Sequence, residues 1–270
     1  MKMIQEKCRI LWNDQVSDTC YRIALTCDPG YAEARPGQFV MLRTAERCMP
    51  LLRRPFSIYN RLMEEGRVTG IEIMYKVIGQ GTRNLSGFRA GDTIDVLGPL
   101  GNGFRISGKC RRLFIAAGGI GVAPLYFLAS CIKEKKSEVF SGCDVFFGAR
   151  TKEELVGGED FADLGVQLHI ATDDGSKGFH GFATDLMEKH MKDCPPDLIC
   201  ACGPEDMLKQ VGMMAERCGI PCQVSIETVM ACGMGACLGC AVGKKDTAGG
   251  YWHACMDGPV FDADKLKFHD

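Results

Sequence analysis

The sequence predicts a multi-domain chain in three parts: an N-terminal antiparallel β-barrel, a doubly wound parallel α/β nucleotide-binding domain and a small C-terminal cysteine-rich domain. Three observations carry that reading. Short apolar runs punctuated by Gly and Pro fill the first hundred residues, strand-like runs alternate with helical patterns from about Arg111, and from about Gln223 both rhythms give way to a stretch dense in Gly and Cys. The parts are bounded at 1–108, 109–222 and 223–270, and a chain of 270 residues has room for one large domain or two to three small ones. There is no internal repeat and no long linker, so the parts are expected to pack together.

In the first part the runs Gln38–Leu42, Phe56–Tyr59, Ile71–Ile78 and Thr93–Leu97 have strand length and Gly or Pro punctuation. In the second, Leu113–Ala117 precedes a helix from Pro124 to Lys135, and Val145–Ala149 precedes Lys152 to Val156. Val166–Ala171 precedes Thr184 to Met191, and Leu198–Cys202 precedes Glu205 to Arg217. Four strand–helix pairs imply a parallel sheet. The tail shows little of either period, so something other than a packed core is expected to order it.

Composition excludes several function classes. Thirty-two basic against 34 acidic side chains leave a net charge of −2, which gives no overall electrostatic reason to bind nucleic acid or an anionic membrane. Residues 1–12 mix charge with apolar side chains and lack the apolar core of a secretory signal. The apolar stretch Leu113–Ile132 reaches the length of about 20 residues a span needs, but Gly118, Gly119, Gly121 and Pro124 interrupt it, so a cytoplasmic protein with no membrane span is expected. Sixteen cysteines fall short of the density of about 8–10% that marks a disulfide scaffold. Cys8, Cys20, Cys27, Cys48, Cys110, Cys131, Cys143, Cys194, Cys200, Cys218 and Cys222 are scattered and are expected to act as small apolar packing or surface residues.

Apart from Cys202, the remaining cysteines cluster. CGMGACLGC (Cys232–Cys240) followed by Cys255 makes Cys232, Cys237, Cys240 and Cys255 a C-x4-C-x2-C…C set, the plant-type spacing for a 2Fe-2S cluster. Gly233, Gly235 and Gly239 are expected to take positive φ and turn amide N–H groups toward the sulfurs. Structural zinc is the rival, although it ordinarily uses two short Cys pairs and only Cys237 and Cys240 form one.

Two segments of the barrel point to a flavin. Arg54, Pro55, Phe56 and Ser57 open a strand on which a guanidinium can fork onto a pyrophosphate, and Gly79–Thr82 opens a helix whose N–H groups can receive a phosphate. Each also has a plainer reading, a solvated turn and an ordinary capped helix start. AGGIGVAP (Ala117–Pro124) follows the first α/β strand, where Gly118, Gly119 and Gly121 allow close approach of a dinucleotide; tight packing is the plain alternative. Cys202, Gly203 and Pro204 end the fourth strand, where a nicotinamide would lie. Asp173 and Asp174 would repel a 2′-phosphate and Arg150 and Lys152 would attract one; the balance favours NAD over NADP.

Taken in order, RPFS (Arg54–Ser57), GQGT (Gly79–Thr82), AGGIGVAP and CGP (Cys202–Pro204) resemble the ferredoxin–NADP reductase superfamily. LLRRPFS (Leu51–Ser57), LGPLGNGF (Leu97–Phe104) and the cysteine motif narrow the resemblance to the electron-transfer subunits of NAD-dependent (type B) dihydroorotate dehydrogenases. That resemblance covers essentially the whole chain. It implies FAD held by Arg54, Pro55, Phe56, Ser57, Met74, Tyr75, Lys76, Gly81 and Thr82, with NAD in the α/β domain and the 2Fe-2S cluster on the four cysteines. It also implies an FMN-containing catalytic subunit that oxidises dihydroorotate, in a heterotetramer of two subunits of each kind. One departure is a slightly long segment between Ser57 and Met74, expected to alter a surface turn.

Nicotinamide exchanges two electrons together and an iron–sulfur cluster exchanges one, so a flavin must stand between them. Electrons are expected to pass from the partner's FMN through the cluster and FAD to NAD+, with no side-chain acid or base required and no dihydroorotate bound here. The alternatives are the small subunit of a ferredoxin-dependent NADH/NADP oxidoreductase or sulfide dehydrogenase, and a non-redox zinc-bound regulatory module. Relatives of the former kind can replace one cluster cysteine by aspartate, whereas all four positions here are Cys.

Overall fold

The structure, a computed structural model, describes residues 3–45, 49–135, 142–245 and 249–268; Cys48 lies outside them. Seven strands build the first sheet: β1 (Ile4–Gln15), β2 (Cys20–Thr26), β3 (Phe39–Arg43), β4 (Arg54–Ser57), β5 (Asn60–Glu64), β6 (Arg67–Lys76) and β7 (Thr93–Leu100). Helix α1 (Gln80–Gly87) lies between the last two. The order is β4-β3-β7-β1-β2-β6-β5, antiparallel throughout. The expected barrel is a curled, open sheet. Its ends approach because the chain leaving β4 crosses from one to the other: Ile58 N–H donates to the Gln38 carbonyl at 3.0 Å and Tyr59 N–H to the Glu72 carbonyl at 2.8 Å. The run Phe56–Tyr59 is therefore a strand end plus a crossover, not one strand.

The second sheet begins with β8 (Arg112–Gly118), β9 (Gly142–Ala149), β10 (Gln167–Thr172), β11 (Phe179–His180), β12 (Leu198–Cys202) and β13 (Cys222–Ser225), with helices α2 (Val122–Lys135), α3 (Ala183–Asp193) and α4 (Glu205–Cys218). A hairpin of β14 (Ala241–Gly243) and β15 (Tyr251–His253) follows, and β16 (Val260–Asp262) returns to the sheet. The order is β11-β10-β9-β8-β12-β13-β16, parallel except for the antiparallel β16. The chain reverses direction across the sheet between β8 and β12, the switch point at which doubly wound folds place ligands.

Alternation along the buried strands explains the two-sided core. Phe114, Phe146 and Ile199 pack on one face, and Ile115, Val145 and Phe147 on the other. No α-helix follows β9: Lys152–Glu154 makes one 3-10 turn, and Gly157 at φ +82° redirects the chain before a second at Glu159–Leu164. The helix expected over Lys152–Val156 is thus replaced by a loop. Among the described residues no helix is long and apolar enough to cross a membrane.

The tail is not ordered apart from the core. The boundary at 222/223 falls inside β13, β16 pairs with β13, and Phe261, Ala263, Leu266 and Ala254 belong to one apolar cluster with Ile199 and Val224. Their short, irregular spacing hid them from a search for periods. Phe261 is 7% exposed, so Phe261→Ala is expected to destabilise the full chain by roughly 3–5 kcal/mol and to lower one cooperative transition in thermal unfolding.

Candidate active site and cysteine loop

A cavity of about 490 Å³ opens between the curled sheet and the parallel sheet. Arg54, Pro55, Phe56 and Ser57 reach it from β4, Met74, Tyr75 and Lys76 from β6, and Gly81 and Thr82 from α1. All nine flavin candidates therefore wall one cavity, which Cys202 of β12 also lines. The long segment between Ser57 and Met74 is the β5–β6 hairpin, turning at Glu65 (φ +50°) and Gly66 (φ +78°), away from these contacts.

The cavity fits a flavin dinucleotide. The Thr82 hydroxyl accepts from the N–H groups of Ile78 and Gly79 at 3.0 and 3.1 Å, which caps α1 and leaves its first-turn amides without intrahelical acceptors. A Cβ on Gly81 would stand 3.0 Å from Arg54 Nε, so the absent side chain lets the guanidinium lie across the helix start. Arg54 Nη1 is held by the carbonyls of Leu52 and Arg53 at 2.9 and 3.3 Å. Phe56 meets Tyr75 edge to face at 5.8 Å, an apolar wall beside this anion-seeking end.

The glycines of the nucleotide loop do other work as well. A Cβ on Gly121 would stand 2.4 Å from the Cys202 carbonyl oxygen, and one on Gly118 2.7 Å from Pro204 Cδ. Gly203 has Gly118 Cα 3.0 Å from its own Cβ position. Gly118, Gly121 and Gly203 thus let the loops after β8 and β12 pack backbone to backbone, whereas Gly119, at φ +52°, has open space above it. Among the 2′-phosphate discriminators, Arg150 is clasped by both oxygens of Glu154 at 2.6 and 3.1 Å, and that contact holds the Glu154 carboxyl at about 2. Asp174 accepts from Ser176 N–H and hydroxyl.

Sequence reasoning missed the segment Ser225–Thr228 and Met230, which wall the cavity beyond β13. Its signal was present: chain leaving the end of a buried strand beside the switch point. Glu227 lines the open cavity with part of its surface exposed, and the protein around its carboxyl raises it above the usual range by desolvation. Burial, and then Glu227, push the Cys202 thiol up to about 12, so it is neutral at physiological pH.

The tail carries Cys232, Cys237 and Cys240 on one loop and brings Cys255 back against Cys240 after the β14–β15 hairpin. Cys240 and Cys255 are buried with Sγ atoms 3.2 Å apart, and Cys232 Sγ accepts from the N–H groups of Met234 and Cys237, each at 3.4 Å. Cys237 is exposed, and among the described residues no three His, Cys, Asp or Glu side chains converge as metal ligands. Burial raises the Cys232 thiol, but the amides of Met234 and Cys237 outweigh it and bring it to about 7. Burial sends Cys255 the other way, to about 12. Gly233 (φ +72°) and Gly235 (φ +81°) take positive φ with Met41 Cγ and Met256 Cγ 2.6 and 2.8 Å from their Cβ positions. Gly239 does not; the third such residue is Leu238 at φ +57°. Three thiols on a loop that aims amides at sulfur, with Cys255 brought against Cys240, suit an iron–sulfur cluster.

Comparison with known proteins agrees with both halves. The family described as iron-sulfur cluster binding domain of dihydroorotate dehydrogenase B matches residues 227–267, and the oxidoreductase NAD-binding domain matches 114–212. The chain is 40% identical over 230 residues to the dihydroorotate dehydrogenase B (NAD(+)) electron transfer subunit of Desulforamulus reducens, covering 84% of this chain and 85% of the relative. The chain belongs to the family of dihydroorotate dehydrogenase B electron transfer subunits. A family member from Listeria monocytogenes is 38% identical over 98% of this chain and 100% of its own. A solved NADH-dependent reduced ferredoxin-NADP oxidoreductase superposes with a TM-score of 0.83 at 32% identity, over 97% of this chain and 90% of that one. A Neisseria gonorrhoeae ferredoxin NADP+ reductase with bound FAD and NADP shares the fold: TM-score 0.65, 17% identity, 80% of this chain and 94% of that one. Family membership makes the chain an oxidoreductase subunit that works with a catalytic partner.

Two substitutions test this site. Gly121→Ala is expected to destabilise the fold by roughly 1–3 kcal/mol and to weaken NAD binding in calorimetric titration, because the new methyl meets the Cys202 carbonyl. For Glu227, a folded-state pKa above the unfolded value makes the carboxyl a cost that appears as pH rises past the unfolded pKa of about 4.3. Glu227→Gln is therefore expected to raise the melting temperature at neutral pH and to match wild type near pH 4.

Proposed function

We propose that this chain carries electrons from an FMN-containing, dihydroorotate-oxidising catalytic subunit to NAD+ in cytoplasmic pyrimidine biosynthesis, within a heterotetramer of two subunits of each kind. The observation that carries this reading is continuity. Residues 225–228 and Met230 wall the cavity of the flavin candidates, and Cys232 opens the cysteine loop two residues later. When bound, FAD exchanges electrons in pairs with nicotinamide and singly with a 2Fe-2S cluster.

The chain's own residues supply position. Arg54 and the first turn of α1 bind the flavin pyrophosphate, Phe56, Ser57, Met74, Tyr75 and Lys76 orient the ring system, and Gly81 and Thr82 keep the helix start open to phosphate. Gly119, on the base formed by Gly118, Gly121, Gly203 and Pro204, admits the NAD pyrophosphate, and the neutral Cys202 thiol packs where the nicotinamide comes to rest. Cys232, Cys237, Cys240 and Cys255 hold the cluster. The clasp of Glu154 on Arg150 and the carboxylates of Asp173 and Asp174 favour NAD over NADP.

The decisive experiment is native pull-down under anaerobic conditions, followed by assay of dihydroorotate-dependent NAD+ reduction. An eluate containing a catalytic subunit with FMN and the activity supports the reading, whereas ferredoxin-dependent reduction without that subunit replaces it by the ferredoxin-linked alternative. Arg54→Ala is expected to lower flavin retention about 10- to 100-fold, the equivalent of a charge-assisted hydrogen bond of roughly 1.5–3 kcal/mol, with cluster iron unchanged. Absorbance and iron content after gel filtration check it.

A further inference from the structure

Where the two large domains meet, away from the cavity walls, a group of charged and aromatic side chains has no part in the reading above. Arg22 of β2 and Glu72 of β6 are paired through Nε, and Glu72 is only 4% exposed. Arg22 Nη1 reaches across to both oxygens of Asp160, at 3.2 Å each, in the loop that replaces the helix after β9. The Tyr59 hydroxyl donates to the same carboxylate, and the Arg22 guanidinium lies 4.9 Å over the Tyr59 ring. Tyr59 in turn stacks on Tyr126 of α2 at 4.5 Å and 14°, and Tyr126 meets Phe161 edge on at 5.4 Å.

Each partner is one step from a ligand-binding element. Tyr59 follows Ser57 by two residues, and Glu72 precedes Met74 by two on the same strand. Gly157, three residues before Asp160, approaches so closely that a Cβ would stand 2.8 Å from Met74 Cε and 3.2 Å from the Tyr59 hydroxyl. Tyr126 sits in the first turns of α2, the helix that starts after Gly121. Two carboxylates share one guanidinium, with Glu72 buried and Arg22 and Asp160 half-buried, an arrangement that adds little net stability but fixes geometry, because displacing Arg22 strands the Glu72 charge.

We propose that Arg22, Glu72, Tyr59 and Asp160 form an interdomain latch that sets how closely the NAD-binding half approaches the flavin-binding half, making Asp160 and Tyr59 positioning residues for hydride transfer. The proposal rests on the electron-transfer reading. Hydride transfer depends steeply on the separation of the reacting centres, and a displacement of about 1 Å can cost up to 100-fold in rate. The latch touches neither nucleotide loop, so NAD affinity should be nearly independent of it.

The test compares Asp160→Ala and Tyr59→Phe with the parent, as full chains loaded with flavin and cluster. In anaerobic stopped flow, NADH-driven flavin reduction is expected to slow roughly tenfold or more in Asp160→Ala and less in Tyr59→Phe, with KM for NADH unchanged. Reduction by dithionite should match the parent. Hydrogen–deuterium exchange is expected to rise in the peptides spanning 57–60 and 157–164 and to stay constant in β8 and β12. Asp160→Asn, which keeps an acceptor for Tyr59, should recover most of the rate. Unchanged NADH kinetics in both variants, or slower kinetics without faster exchange at the latch, overturns the proposal. Should Asp160→Ala not fold, Tyr59→Phe and Asp160→Asn carry the same comparison. A parent that NADH does not reduce at all overturns the electron-transfer reading instead, so the two failures are distinct.

Discussion

The molecule depends on a backbone contact: the loop after β8 lies directly on the loop after β12. With Gly121 against the Cys202 carbonyl and Gly118 against Pro204 and Gly203, no side chain separates the two strand ends on either side of the switch point. The close contact brings Cys202 to the wall of the cavity and lets β13 run on into it. Cores of this density do not deform gradually. The position of Cys202 at the cavity wall is therefore as well defined as the glycine contacts behind it.

Much of this was legible. The four expected α/β strands appear within a few residues of their places because buried parallel strands leave unbroken apolar runs, as in Leu113–Ala117 and Leu198–Cys202, whereas the short β11, β13 and β16 were not read. The barrel-side residues that wall the cavity were picked out by short motifs that follow from phosphate chemistry. Less legible were β1 and β5, where charged side chains on exposed positions interrupt the apolar pattern, and β2, where Arg22 does so from a paired, half-buried position. The loop after β9 was misread because Lys152–Val156 has helix-favouring residues, and only Gly157 with its left-handed φ stops them. The cavity segment Ser225–Thr228 was invisible for a different reason: its role comes from where β13 ends, not from its composition.

The tail illustrates how a segment without periodicity can still be ordered by packing. Its β16 contributes one edge of the large sheet, and Phe261, Ala254 and Leu266 enter the same core as the helices α3 and α4. What the cysteine loop requires is then a fixed base rather than a domain of its own. Met41 of the first sheet fills the space over Gly233, and Met256 that over Gly235, so both the sheet domain and the tail brace the loop.

Glycine is used in two ways that one motif cannot separate. In the nucleotide loop its value is the missing Cβ, and of the three glycines after β8 only Gly119 has the open space a ligand needs. In the cysteine loop its value is conformational, and there Leu238 takes a left-handed φ despite its side chain while Gly239 does not. A left-handed leucine is costly by of order 1–2 kcal/mol and persists only where its surroundings over-determine the backbone. Leu238 lies between Cys237 and Cys240, the most closely spaced pair of the cysteine motif, with two residues between them. The loop therefore takes its one left-handed non-glycine residue where the motif's cysteines are most closely spaced and keeps the glycines beside Cys232, where amides turn toward sulfur.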